Sequence, residues 1–337
     1  MKLDSAVIRS LSLDPAKTTV ASHGGSGFST TAKMSTIMKD GTEKHFFMKT
    51  GKGKGADVMF RGEHASLNAI HSVVPNLCPQ SFAEGKLQDS PGGAFLVTDF
   101  LDMNGPSTGN LTEKSSDSLA TKLAKLHTTP APIPDGYSKP VFGFLDVTCC
   151  GDTEQRNDFM ESWADFYANN RLLAILEKGE RTNGDDPSLR SLVEKTAFET
   201  VPRLIGDGHL NNGKGVLPVI VHGDLWSGNK GRARIGGQGA VEDVVFDPSA
   251  CYAHSEYELG IMQMFGGFNS TFMKEYHRMC PKTEPVREYE DRVRLYELYH
   301  HLNHFSIFGG GYKSGAVAIM RDLHRKYDTK SEIRGNG

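Results

Sequence analysis

Residues 221–229 read Val221-His222-Gly223-Asp224-Leu225-Trp226-Ser227-Gly228-Asn229, directly after the apolar run VLPVIV at 216–221. The run reads as a short buried strand that delivers an acid just past its end. The loop has the form H-x-D-L-x-x-x-N, with histidine two before the acid and asparagine five after it. Phosphoryl transfer needs an acceptor for the attacking hydroxyl's proton and oxygen ligands that fix Mg2+ on the phosphates. One Asp and one Asn from a single loop can supply both. A chance match in an ordinary loop is the plain alternative. Against it stands a second strand-like run, VEDVVF at 241–246, which ends on Asp247, 23 positions after Asp224. An acid at a buried strand's end just downstream is where a second metal-binding carboxylate belongs. The intervening GRARIGGQGA reads as a hairpin turn joining the two strands.

Upstream, Lys49 closes the strand-like run His45-Phe46-Phe47-Met48-Lys49, and period-2 alternation puts it on the face of Phe47. A snorkelling surface lysine is the bland reading. Glu63 changes the balance, because it occupies the apolar series Phe60, Glu63, Leu67, Ile70, Val74 at helical spacing. A carboxylate on a core-facing stripe needs a cationic partner, since burying it unpaired is costly. Lys49, across the GKGKG turn, is the economical one. The glycine cluster Gly24-Gly25-Ser26-Gly27 can bring backbone N–H groups close to phosphate oxygens, although a structural hairpin uses the same residues. It fits neither the P-loop nor the dinucleotide fingerprint. A strand lysine, a helix glutamate and a glycine-rich loop ahead of the H-x-D loop form the arrangement by which protein-kinase-like folds hold nucleotide phosphates.

The pattern along the chain agrees with an α+β, two-lobe fold of that kind. From 17 to 98, β-rich runs alternate with the turn chemistries KDGT, GKGKG and SPGG, interrupted by one helix over 58–74. From 115 the periodicity is mostly helical, with candidates at 116–128, 155–178, 187–204, 257–265, 284–307 and 315–327. The division is therefore a small β-rich N-terminal lobe over 1–99 with one helix, a connector at 100–109 (FLDMNGPSTG) and a larger, mainly helical lobe over 110–337.

Composition narrows the function further. The 337 residues carry 38 Lys+Arg against 41 Asp+Glu, a net charge of −3 that exerts no pull on nucleic acid or anionic lipid. No apolar run approaches a bilayer span and the N-terminus lacks a signal-peptide stretch, so a cytoplasmic protein without membrane attachment is expected. Five cysteines without C-x-x-C spacing read as free thiols. His300 and His304 are spaced H-x-x-x-H without the glutamate of a zinc motif.

The segments MFRGEHASLNAI, FGFLDVTCCG, VHGDLWSGN, VVFDPSACYAHSEYELGIMQMFGGF and LYELYHHLNHFSIFGGGY together resemble the fructosamine/ketosamine-3-kinase family, relatives of the aminoglycoside and choline kinases. The resemblance runs from about residue 5 to residue 327. It implies transfer from ATP to the C3 hydroxyl of a ketosamine, the adduct of a sugar with a small amine or a protein lysine. Carried over by position, it makes Asp224 the catalytic base and Asn229 and Asp247 the Mg2+ ligands. Lys49 and Glu63 then orient the phosphates, and Asp99, Phe100 and Leu101 form the hinge that meets adenine. Trp226, His254, Glu256 and His304 lie where the acceptor binds, with Glu258 a further candidate for its protonated amine and Asn303 for its cleft. His254 and Glu256 could equally form a structural network. Two departures stand out: the glycine-rich loop lacks the cysteine that family members often carry, and GDTEQRND at 151–158 lacks the usual proline. The expected partners are glycated amines or glycated proteins, ribulosamines before fructosamines, with the chain a monomer or weak dimer. A choline- or aminoglycoside-type kinase and a nucleotide-binding pseudokinase are the competing readings.

Overall fold

The computed structural model describes residues 3–25, 29–53, 55–103 and 117–328. Ser26 and Gly27 of the glycine-rich loop and most of the 100–109 connector lie outside them. The N-terminal lobe is a five-stranded antiparallel sheet of β1 (Thr18–Gly25), β2 (Thr30–Ile37), β3 (Glu43–Lys52), β4 (Ser81–Lys86) and β5 (Gly93–Asp99), in the order β1-β2-β3-β5-β4. Alternation along β3 gives its two faces different tasks. Phe46 and Met48 join Met34, Phe95 and Val97 in one core, while Phe47 and Lys49 face the opposite side, where a cleft opens between the lobes.

Two helices serve this lobe rather than the one expected. α1 (Ser5–Leu11) seals the sheet's outer core with Val7. Its seven residues are too few to show a period, and the Asp4 side chain secures it. That carboxylate accepts from Ala6 N at 2.8 Å and ties the helix to the β4–β5 loop through the N–H groups of Gln88 and Asp89. α2 (Ala56–Val73) buries Phe60, Leu67 and Ile70. It also touches the second lobe: a Cβ added at Gly62 would meet the Val147 carbonyl oxygen at 2.3 Å, so only glycine permits this approach.

The second lobe packs the helices Leu119–Thr128, Glu258–Phe265, Ser270–Met279, Tyr289–Phe308 and Tyr312–Tyr327 with helical runs over 163–183 and 187–205. No described helix is long and apolar enough to cross a membrane. Three expectations need correction. The helix foreseen from 155 begins only at Trp163; Thr153–Gln155 is instead a strand paired with Thr148–Cys150. Buried side-chain bonds hold it, Gln155 Oε1 accepting from the Thr148 and Ser249 hydroxyls. Helix Ser270–Met279 was not foreseen; Asn269 caps it, accepting from Phe272 N at 2.9 Å. The foreseen hairpin also pairs differently. GRARI belongs to a strand of its own, Lys230–Ile235, which pairs with Glu242–Val245, whereas Val219–Val221 pairs with Cys251–Ala253. Val219–Val221 is buried throughout and takes a buried partner.

Two polar devices join the lobes. The two-residue strand Leu101–Asp102 adds to the edge of Lys230–Ile235, so the connector is itself part of a small sheet. Deeper, Lys122 is buried on helix Leu119–Thr128 and donates to Asn76 O at 2.9 Å, Asp243 O at 3.0 Å and the Glu242 carboxylate at 2.6 Å. Asn76 follows α2, so this ammonium binds the end of that helix to the second lobe. Lys122→Met removes it and leaves a mostly buried carboxylate without its cation, with only the Asn76 amide near it at 3.4 Å, at a cost of about 3 kcal/mol. Chemical denaturation should show that loss; a variant within about 0.5 kcal/mol of wild type would contradict the role.

Candidate functional site

A cleft of about 440 Å3 lies between the sheet and the second lobe. Gly25, Lys49, Glu63, Asp99, Phe100, Leu101 and Asp247 line it together with His23 and Phe47. Gly24 precedes it in a left-handed conformation, φ 84°. Along the connector, the Phe100 amide donates to His45 O at 3.4 Å and its carbonyl accepts from Gly236 N at 2.8 Å. The pairing of Leu101 with Ile235 in this ladder turns the Leu101 amide away from the hairpin.

Lys49 is the centre of charge. Its Nζ lies 2.7 and 2.9 Å from the two Glu63 oxygens and 2.6 Å from Asp247 Oδ1. Burial works against the ammonium, but Glu63 and Asp247 outweigh it and hold the lysine firmly protonated. Burial raises the Glu63 carboxyl, with Asp247 adding to the rise and Lys49 opposing it. Asp247 follows the strand Glu242–Val245 with φ 57°, and its side chain is 51% exposed, so this carboxylate is open to a ligand.

The loop after Val219–Val221 is held from below. His222 is fully buried, and burial depresses its pKa despite the nearby Glu258 carboxylate. Its neutral ring donates from Nε2 to Phe246 O at 3.0 Å and accepts at Nδ1 from Asp224 N at 3.3 Å. Gly223 takes φ 80°, and a Cβ there would stand 2.0 Å from the Ser249 carbonyl. The His222 carbonyl accepts from Ser249 N at 2.8 Å, which stitches the Asp224 and Asp247 loops together. Beneath them, the buried Glu258 carboxylate accepts from His222 N at 2.5 Å and Gly223 N at 3.0 Å, with His127 Nε2 at 3.6 Å.

Asp224 itself is enclosed. Asn229 Nδ2 donates to the Asp224 carbonyl at 2.9 Å and lies 3.4 Å from Oδ2. Burial pushes the Asp224 carboxyl up to about 8, with Asp247 and Glu258 adding to the rise while Cys150 and Asn229 pull against it. A second cleft, of about 280 Å3, opens at Asp224 and is walled by Trp226, Phe265, His304, Phe308 and Tyr312, with Asn303 on its border. The rings form a run, Trp226 to Phe265 at 5.6 Å, Phe265 to His304 at 5.0 Å and His304 to Tyr312 at 5.1 Å. Trp226 is 37% and Phe308 65% exposed, so the wall faces solvent.

His254 and Glu256 are elsewhere, and their assignment to the acceptor is corrected. His254 is buried, bonded to the Tyr296 hydroxyl and Thr283 Oγ1, both at 2.8 Å. Glu256 is spent on Arg292, at 2.7 and 3.1 Å, and on Thr283 N at 2.8 Å. Both side chains are buried, and neither lines the second cleft. Glu258 is likewise occupied beneath the loop, so none of the three meets the second cleft. Sequence reading passed over Phe265, Phe308 and Tyr312 as site residues. Aromatics bracketing the three glycines 309–311 were the available signal.

Comparison with known proteins places the chain in a family. The fructosamine kinase family model matches residues 8–326. A ketosamine-3-kinase of Mus musculus is 35% identical over 297 residues, covering 83% of this chain and 88% of that one. A chloroplastic protein-ribulosamine 3-kinase of Arabidopsis thaliana is 33% identical over 285 residues, covering 83% and 76%. A solved Thermobifida fusca protein, assigned as a fructosamine-3-kinase, superposes with a TM-score of 0.71 at 23% identity over 96% of this chain and 99% of its own.

The support under the loop can be tested without any assay of turnover. Glu258→Ala orphans two buried N–H groups, each worth about 1–3 kcal/mol. Hydrogen exchange should show the His222 and Gly223 amides losing protection by about tenfold or more, ahead of the strand Val219–Val221. Unchanged exchange at both amides would show that the carboxylate does not hold the loop.

Proposed function

The chain belongs to the fructosamine kinase family, and from that premise we propose that this phosphotransferase moves the γ-phosphoryl group of ATP to the C3 hydroxyl of a ketosamine. The observation that carries the reading is the meeting of two clefts at one pair of stitched loops. Asp247 lines the charged cleft under the sheet and Asp224 the aromatic one, so a phosphoryl donor in the first faces an alcohol in the second.

In this reading the adenine lies against Phe100 and takes the Asp99 carbonyl and the Leu101 amide, since the Asp99 amide is bonded to Gln80 O and Phe100's own amide and carbonyl are bonded as well. Lys49 exchanges Asp247 for phosphate oxygens and stays oriented by Glu63. Gly25 lines the cleft and Gly24 precedes it, so their backbone N–H groups can approach phosphate oxygens. Mg2+ suits the oxygen donors at hand, the exposed Asp247 carboxylate and the amide oxygen of Asn229, and when bound it neutralises charge between the phosphates. Among the described residues no three His, Cys, Asp or Glu side chains converge as a metal cage, and Mg2+ on phosphates asks for only one or two carboxylates.

Asp224 accepts the proton of the C3 hydroxyl as that oxygen attacks the γ-phosphorus. The aromatic wall, and not the acids expected earlier, receives the amine side of the acceptor. A protonated secondary amine gains from the faces of Trp226 and Phe265, and their exposure leaves room for a carrier protein. Phosphorylation then has a chemical outcome. Enolisation towards C1 gives a C1=C2 enaminol, and the nitrogen lone pair then expels the allylic C3 phosphate as inorganic phosphate, leaving an imine at C1. Water hydrolyses the resulting imine and releases the free amine, which makes the kinase a deglycating enzyme of the cytoplasm.

Two substitutions separate base from metal ligand. Asp224→Asn should lower kcat by about 10²–10⁴-fold while Mg·ATP binding persists, whereas Asp247→Ala should weaken Mg·ATP binding itself in calorimetry. Near-normal turnover by the first, or unchanged binding by the second, contradicts the assignment. For the acceptor, we expect higher kcat/KM with ribulosyl-lysine than with fructosyl-lysine and none with choline. The 280 Å3 cleft and the ribulosamine kinase among the relatives favour the smaller sugar. ATP consumption across the three acceptors measures this. Turnover of choline and neither ketosamine would overturn the acceptor class and leave the kinase chemistry standing.

A further inference from the structure

The side of the second cleft away from the aromatic rings is formed by the strand Thr148–Cys150 and the turn that follows it. Cys150 ends that strand, only 1% exposed, and its Sγ lies 3.7 Å from Asp224 Oδ1. Asn229 approaches the other oxygen, Oδ2. The carboxylate is therefore met by a different donor on each side, which restrains its rotation about the Cβ–Cγ bond. The cysteine is itself anchored. Its carbonyl accepts from Asn303 Nδ2 at 3.2 Å, Asn303 Oδ1 accepts from the Thr153 hydroxyl, and Thr153 Oγ1 accepts from Lys178 Nζ at 2.6 Å. Lys178 is fixed in turn by Asp152. A connected set of bonds thus runs from the surface ammonium, across the turn at 150–153, to the carboxylate at the floor of the cleft. Burial and the adjacent Asp224 carboxylate keep the thiol protonated, far above its usual range, so it stands here as a hydrogen donor and not as a nucleophile.

We infer that Cys150 is a positioning residue of this kinase: its S–H donates to Asp224 Oδ1 and, with Asn229 on the other side, holds the base in the one orientation that faces the acceptor hydroxyl. The inference rests on the reading of Asp224 as the base. It also gives Asn303 and Thr153 a task, since they hold the Cys150 backbone at the distance the thiol needs. A bystander cysteine would need only to fill space, and serine or alanine would serve it comparably. A positioning donor instead distinguishes between them, because serine keeps a proton to donate and alanine does not.

The test compares Cys150→Ala with Cys150→Ser. Hydrogen bonds to charged groups in catalytic sites translate into rate factors, so alanine should lower kcat about tenfold or more with KM for Mg·ATP within about twofold. Serine should restore kcat to within about threefold of wild type. A spectroscopic readout independent of turnover, and of whether the alanine variant folds, is the S–H stretching band isolated by subtracting the Cys150→Ser infrared spectrum from that of wild type. It should lie below the frequency of a free thiol and rise in Asp224→Ala, which removes the acceptor. Wild-type kcat in Cys150→Ala, equal impairment of both variants, or an S–H band indifferent to Asp224→Ala would overturn the inference. Its failure is distinguishable from that of the underlying reading: near-normal turnover by Asp224→Asn removes the base assignment, whereas loss of turnover there with none in Cys150→Ala removes only the positioning role.

Discussion

The ammonium of Lys49, shared between Glu63 of one lobe and Asp247 of the other, is the interaction on which the rest of the site depends. A charge this enclosed is sustained only by partners, and removing either carboxylate would leave it poorly compensated. The two carboxylates are not equivalent. Glu63 is as enclosed as the lysine, 11% against 12% exposed, and sits on a helix that Gly62 and Lys122 fasten to the second lobe. Asp247 is half exposed and stands at a left-handed turn after a strand. One partner is a fixed mount and the other can exchange its cation for a metal, which is the asymmetry a phosphate-binding cleft requires.

The Asp224 loop shows the same division between support and function. The Glu258 and His222 side chains bond backbone groups of the Asp224 and Asp247 loops, and the Gly223 conformation excludes any side chain at that point. Their work leaves Asp224 as the group of the motif that reaches the acceptor cleft, at the price of enclosing a carboxyl among other acids. In the proposed complex a cation and a bound alcohol would relieve that cost.

Much of this was legible in the residues. The order of Lys49, Glu63, the Asp224 loop and Asp247 was legible from spacing, and the structure bonds Lys49 to Glu63 and Asp247 across the two lobes and Asn229 to the Asp224 carbonyl. Lys49 was readable because an acid on an apolar helical stripe demands a cation. What remained hidden had a common cause, in that it depended on non-local pairing. Whether Val219–Val221 joins the 242–245 strand or the 251–253 strand is a tertiary matter, and no local pattern near 220 encodes it. The acids of the 254–258 segment face a similar limit. For His254 and Glu256 the acceptor and a structural network were equal readings; Thr283 and Arg292 occupy them from 25 or more positions away, and Glu258 lies under the Asp224 loop. The helix Ser5–Leu11 was missed for want of turns; its cap Asp4, like Asn269 before Ser270–Met279, was a local clue passed over.

The central claim is that both clefts are filled at once, with Lys49 transferred from Asp247 to phosphate and the ketosamine's C3 hydroxyl presented to Asp224. A crystal structure of the protein with Mg2+, a non-hydrolysable ATP analogue and a ribulosyl-amine tests it most directly. The account predicts Lys49 within about 3 Å of both Glu63 and a phosphate oxygen, Asp247 turned to the metal, and the C3 oxygen within about 3 Å of Asp224. A complex in which Lys49 keeps its bond to Asp247, or in which a different sugar hydroxyl faces Asp224, would contradict it.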